Sequence, residues 1–132
     1  MKTDNITLEF NPDFVGTLTS PTGTVLLGEQ DNGVEPYHLL YGALGSCFYA
    51  TFLGIVKKKR LTFTQAQIEV SGRKRDQVPP TLEEVLIKMV IFDASDEAQF
   101  IKSAELGTQY CSIHETISKV AKMSLVVTFQ KS

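Results

Sequence analysis

The stretch LLYGALGSCFYATFLGIV, Leu39 to Val56, carries no charge and constrains this chain more than any other segment. About 18 uncharged residues are close to the minimum for a membrane-spanning helix. The Lys57-Lys58-Lys59-Arg60 run behind it would suit a cytoplasmic anchor. Against a span stand Gly42, Gly45, Gly54, Ser46, Cys47, Thr51 and two tyrosines within the stretch. The segments on either side alternate apolar and polar residues, as strands do when one face needs an apolar partner. The stretch is therefore expected to be the central helix of a soluble domain, with no membrane association.

Size and charge narrow the class. At 132 residues and 42% hydrophobic, the chain is expected to form a single domain over residues 1–132. A net charge of −2 and the absence of a basic stripe argue against a nucleic-acid partner. The two short basic runs, Lys57 to Arg60 and Arg73 to Arg75, read as solvated ends of secondary structure. The N-terminus, MKTDNITLEF, has no signal-peptide core. Two free-standing cysteines then imply a reducing, cytoplasmic setting, where a disulfide would be transient and catalytic.

The pattern predicts an α+β chain. Ile6, Leu8 and Phe10, then Phe14 and Leu18, alternate with polar residues, and Thr24-Val25-Leu26-Leu27 follows the turn Ser20-Pro21-Thr22-Gly23. This reads as an N-terminal strand meander ending at Asp31-Asn32-Gly33. Pro36 suits the first turn of a long central helix that runs to about Lys58, where cations complement the helix dipole. On it Ala43, Cys47, Ala50 and Gly54 form a stripe of small residues, expected to contact another helix, such as its copy in a second subunit. Ala66, Ile68 and Val70 predict a strand; Val85, Ile87, Met89 and Ile91 predict a second, paired with it. Ser95-Asp96-Glu97 predicts a helix start with Ser95 as N-cap, an apolar face of Phe100, Ile101 and Ala104, and Gly107 at its end. Ser112-Ile113-His114-Glu115 matches a capping box opening a short helix with Ile113, Ile117 and Val120 inward. Met123, Leu125, Val127 and Phe129 predict a final strand.

The chemistry resides in two cysteines. A thiolate attacks the O–O bond of a peroxide and becomes a sulfenic acid, which a second thiol converts to a disulfide. The attacking sulfur needs a nearby positive charge or donor. Cys47 sits mid-helix, where its own helix has no free N–H, so activation must come from other segments or a second chain. Cys111 precedes the Ser112 helix start, a position suited to a resolving thiol. Both thiols could equally be small buried hydrophobes.

Pro36 through Cys47, read as P-x-x-L-L-x-x-A-L-G-S-C, resembles the helix motif of the OsmC/Ohr family of osmotically inducible and organic hydroperoxide resistance proteins. The later C-S-I-H-E-T-I resembles that family's second motif, usually written C-P-x-S, and V-S-G-R precedes the paired strands. The resemblance implies an OsmC-like fold and an intertwined homodimer with active sites at the subunit interface. It also implies a thiol-dependent reductase of organic hydroperoxides. Cys47 would be the peroxidatic cysteine and Cys111 the resolving one. The reductant would be an external dithiol, a lipoylated protein in the Ohr branch. No metal or organic cofactor is implied. The two histidines and two cysteines contain no CxxC or HxxxH pairing that would suggest zinc.

The chain departs from the family at the activating groups. Family members use an arginine from the N-terminal strands, and here no arginine precedes Arg60. The family's glutamate position reads Tyr37 or His38, and Glu35 is the nearest carboxylate. His38, nine residues before Cys47, points about 180° away from it with ~13 Å of rise on a straight helix. It could act only across a bend or from a second subunit; otherwise it is a surface or capping residue. His114 is a candidate to share a pocket with both thiols. Tyr37, Tyr41 and Phe48 are candidates to line an apolar substrate pocket, or are plain core. A chain without the arginine could alternatively be a catalytically weak binder of small apolar or electrophilic molecules.

Overall fold

A computed structural model describes residues 1–132. Three helices and two three-stranded sheets follow the predicted order: β1 (Thr7–Phe10), β2 (Val15–Ser20), β3 (Gly23–Gly28), α1 (Pro36–Lys58), β4 (Gln65–Lys74), β5 (Leu82–Phe92), α2 (Glu97–Tyr110), α3 (Ser112–Ser118) and β6 (Lys122–Gln130). The chain clusters into two compact units, Met1–Leu40 and Tyr41–Ser132.

The first unit is the meander, antiparallel in the order β1-β2-β3. Ser20 closes the β2–β3 hairpin by accepting the Gly23 N–H at 3.1 Å. Gly28 ends β3 with φ +83°, and a Cβ there would lie 2.2 Å from the Phe14 carbonyl oxygen, so only glycine fits. Gln30 locks the return by donating to the carbonyls of Gly16 and Leu27 at 2.9 and 2.8 Å. The alternation of Ile6, Leu8 and Phe10 yields an ordered apolar face, yet each of these side chains is about half exposed.

The second unit holds the core. β5 is the central strand, antiparallel to β4 and parallel to β6. Ile68, Met89 and Val127 are in register across the sheet, as are Val70, Ile87 and Leu125. β5 turns Val85, Ile87, Met89 and Ile91 fully inward, as expected of the strand with two neighbours. α1 buries Leu44, Phe48, Phe52 and Val56, one residue every fourth position, with Gly45 beside them against Val70 and Ile68. Phe52 makes ring contacts with Phe48, Tyr49, Phe63 and Phe100. α1 passes the length and hydropathy test for a membrane span, a test that the core helix of a globular protein also passes. Within its small-residue stripe, Ala50 and Gly54 are exposed.

Several local expectations are corrected. The N-cap of α2 is Asp96, whose Oδ1 accepts the Gln99 N–H at 3.1 Å; Ser95 instead accepts the Thr62 N–H at 3.0 Å and ties α2 to the β4 approach. The inward stripe of α2 is Phe100, Ser103, Ala104 and Gly107, while Ile101 is 39% exposed. Gly107 does not end α2. It lies in the last turns, where a Cβ would stand 3.2 Å from Phe48 and 3.3 Å from Phe52, so its role is close helix packing. Val120 is not inward but 64% exposed, because α3 stops at Ser118 and Ala121 turns in instead.

The end of α1 carries an unrelieved conformational cost. The Leu61 N–H returns to the Val56 carbonyl at 3.0 Å and the Arg60 N–H to Lys57 at 3.1 Å, a Schellman stop. Arg60 occupies the left-handed position with φ 59°. Arg60→Gly is expected to raise stability by about 0.5–1 kcal/mol, seen as a higher urea midpoint with an unchanged slope.

Candidate functional site

The two cysteines come together although they lie far apart in sequence. α2 ends at Tyr110 and α3 begins at Ser112, so Cys111 alone joins the two helices, in an extended conformation (φ −79°, ψ 118°). Cys111 is buried and Cys47 half-buried; neither forms a disulfide. Each thiol acts on the other, Cys111 lowering Cys47 and Cys47 raising Cys111.

Capping decides which groups reach Cys47. The expected capping box, with Ser112 as N-cap, is not formed. Cys111 is itself the N-cap: its Sγ accepts the His114 N–H at 3.4 Å and its carbonyl accepts the Glu115 N–H at 3.0 Å. Glu115 does not reach back but pairs with Lys119 at 2.7 Å. The first amides of any helix lack intrahelical acceptors. With those of His114 and Glu115 satisfied by Cys111, the Ser112 and Ile113 amides have no acceptor in the helix, and together with the Ser112 hydroxyl they act to lower the Cys47 thiol.

The net shifts of the two thiols are opposite in direction. Burial pushes the Cys47 thiol up, but the Ile113 amide, the Cys111 thiol and the Ser112 hydroxyl and amide together bring it below its ordinary value. Burial pushes Cys111 up, and the neighbouring Cys47 adds to that rise by hydrogen bonding and charge. The His114 and Ile113 amides offset it only in part. The pair therefore favours a thiolate on Cys47 and a proton on Cys111.

The other candidates lie elsewhere. His38 serves as a capping partner: the Glu35 N–H donates to its Nδ1 at 3.0 Å, and its Nε2 lies 3.9 Å from the Glu35 carboxylate. Their pairing is with each other. The His114 imidazole is half-buried; its contribution to the pair is the backbone N–H. Burial lowers the His114 pKa, with Glu115 opposing. Phe48 is fully buried in the aromatic core. Tyr41 lines a cavity of about 450 Å³ with Ser46, Tyr49 and Ile68, and its hydroxyl lies over Gly72. Tyr37 is half-buried in the first turn of α1. No cluster of three metal-ligating side chains occurs.

Ser112 and Ile113, which act on the Cys47 thiol, were not among the residues singled out from the sequence; nothing local marks them, because Cys47 lies on a different helix.

Fold and site together define an α+β chain whose long helix presents one cysteine to a second at a helix junction. A model of the OsmC-like protein family matches residues 28–126, and the chain belongs to that family. A hypothetical protein from Aquifex aeolicus VF5 superposes with TM-score 0.84 at 27% identity, covering 98% of this chain and 99% of that one. An OsmC-like protein from Mycoplasma pneumoniae gives 0.82 at 23% identity over 97% of each chain. The organic hydroperoxide resistance protein OhrB of Bacillus subtilis gives 0.67 at 14% identity, covering 96% and 98%. No curated protein sequence matches the chain.

Two outcomes follow from this geometry. Iodoacetamide at neutral pH should modify Cys47 well before Cys111, as read by peptide mass spectrometry; equal rates would contradict the asymmetry. His114 has a lowered folded pKa, so the folded state binds fewer protons than the unfolded chain. Its contribution is present above the ordinary imidazole value of about 6.5 and is lost as pH falls through the lower folded value. His114→Gln should flatten that part of the stability profile, measured by urea unfolding from pH 7 downward.

Proposed function

We propose that this protein is a thiol-dependent reductase of organic hydroperoxides, acting in oxidative-stress defence in the cytoplasm. The supporting observation is the asymmetric cysteine pair: Cys47 with its thiol pKa lowered, Cys111 in contact with its pKa raised. The Cys47 thiolate attacks the peroxide, forming the sulfenic acid and releasing an alkoxide that takes a proton to become the alcohol. Cys111 then displaces the sulfenic oxygen as water and forms the Cys47–Cys111 disulfide. An external dithiol, such as a lipoylated protein, returns both cysteines to thiols and is itself oxidised to a disulfide. The cycle needs no metal or organic cofactor, and neither a membrane nor a nucleic acid takes part.

The working unit in this reading is a homodimer, and residues 1–132 act as one OsmC-like domain within it. Support comes from the exposed small residues Ala50 and Gly54 on α1 and the exposed apolar faces of Leu8, Phe10 and Leu26. Within the meander a smaller cavity of about 170 Å³ is lined only by apolar area, from Leu8, Phe10, Phe14 and Leu39 among others.

A second reading has one observation in its favour, the absence of any arginine before Arg60. It makes the protein a catalytically weak binder of small apolar or electrophilic molecules, with the 450 Å³ cavity at Tyr41 and Tyr49 as a receptor site.

The readings separate in one experiment. Cumene hydroperoxide added to the reduced protein should consume both thiols and yield one intramolecular disulfide, and Cys47→Ser should abolish turnover. Retention of both thiols in excess peroxide would exclude the reductase and leave the binder.

A further inference from the structure

We propose that the apolar cavity of the N-terminal meander is a binding site for a small, neutral, single-ring aromatic molecule. Every residue that lines it lies between Leu8 and Leu39, within the first unit. The site therefore uses neither cysteine, and it shares no residue with the cavity at Tyr41 and Tyr49.

The cavity follows from the register of the sheet. On the face that carries Phe10, one cross-strand row reads Leu8, Leu18 and Val25, and the next reads Phe10, Gly16 and Leu27. The first row has three side chains, whereas the second has none at its middle. The Phe10 ring occupies the space where a Gly16 Cβ would collide with it, and the cavity opens beside that ring. Phe14 stacks on Phe10, with ring centroids 6.0 Å apart and planes at 28°. Val34, Pro36 and Leu39 supply the lining from the far side of β3 and the first turn of α1.

These walls are fixed by backbone hydrogen bonds, which keep the space from collapsing. Val34 donates to the Leu26 carbonyl and accepts the Gly28 N–H, both at 2.9 Å. Gln30 ties the carbonyls of Gly16 and Leu27 together at 2.9 and 2.8 Å. The Leu39 N–H returns to the Glu35 carbonyl at 3.1 Å and holds the first turn of α1. The space so framed is about 170 Å³. An apolar cavity of about 150 Å³ stays dry and takes up benzene.

Size and chemistry together select the occupant. Only apolar surface faces the cavity, so a hydroxyl, amine or carboxylate placed there would lose its water without gaining a partner. One ring matches the volume, and Phe10 and Phe14 offer it the offset and edge contacts that aromatic pairs prefer. Leu8, Phe10 and Phe14 are 46%, 48% and 40% exposed, which leaves a way in from solvent.

The test is a titration of the full-length reduced protein with toluene, followed by methyl NMR. The methyls of Leu27, Val34 and Leu39 should shift saturably, and phenol should bind at least roughly tenfold more weakly. Val34→Phe puts a ring into the cavity from the protein itself and should weaken toluene binding by roughly tenfold or more. Leu39→Phe does the same from α1 and decides the matter where Val34→Phe disturbs the meander. Toluene binding unchanged in both variants would overturn the proposal, as would phenol binding as tightly as toluene. Shifts confined to Ile68 and Val70 would place toluene in the other cavity and overturn it as well. Shifts of the Leu27, Val34 and Leu39 methyls on dilution, with no response to toluene, would assign this face to a second copy of the chain instead. The readout needs neither peroxide nor thiol, so its outcome is independent of the reductase reading.

Discussion

Leu44, Phe48, Phe52 and Val56 turn one face of α1 into the core of the second unit, and the placement of Cys47 depends on that choice. The four side chains repeat every fourth residue, so their burial sets the rotation of the helix about its axis. Phe52 anchors it, with Phe48, Phe63 and Phe100 around it. Each fully buried phenylalanine contributes about 2–3 kcal/mol, which makes any other rotation costly. Gly107 lets α2 approach these rings, and α2 ends three residues later at Tyr110. Core packing and the position of the helix junction are therefore one constraint.

At that junction the ordinary needs of a helix start are met by sulfur. Cys111 caps α3 with its side chain and main chain, and the Ser112 and Ile113 amides that remain act to lower Cys47. The consequence is an electrostatic difference between two thiols whose ordinary values are the same: Cys111 is raised by burial and by Cys47 despite the His114 N–H that it accepts.

Much of the architecture was legible because it rests on local patterns. The strand alternation at Ala66-Ile68-Val70 and Val85-Ile87-Met89-Ile91 reflects a sheet with one covered face, and the pairing followed. Pro36 and the lysines at the far end bounded α1 correctly. The helix caps were less legible. Ser95 and Ser112 both satisfy the sequence rule for an N-cap, yet Asp96 and Cys111 hold those positions. In each case a neighbouring residue could serve, and a contact distant in sequence decided: Ser95 was taken by Thr62, and Cys111 by its place at the end of α2. Ile101 and Val120 were misplaced for a similar reason, since apolar character does not show where a short helix stops or which way it faces.

By itself the sequence determined the element order, the long apolar helix, the two thiols and the absence of an arginine before Arg60. These follow from composition and from periods of two and 3.6 residues, which act over a few neighbours. Only the tertiary structure decided that Cys47 meets Cys111, and that Ser112 and Ile113 lie where they lower the Cys47 thiol. The physical reason is that an orphan amide has no sequence signature of its own. Which acceptor it finds depends on how two helices and a sheet pack, and that packing is settled by the core as a whole.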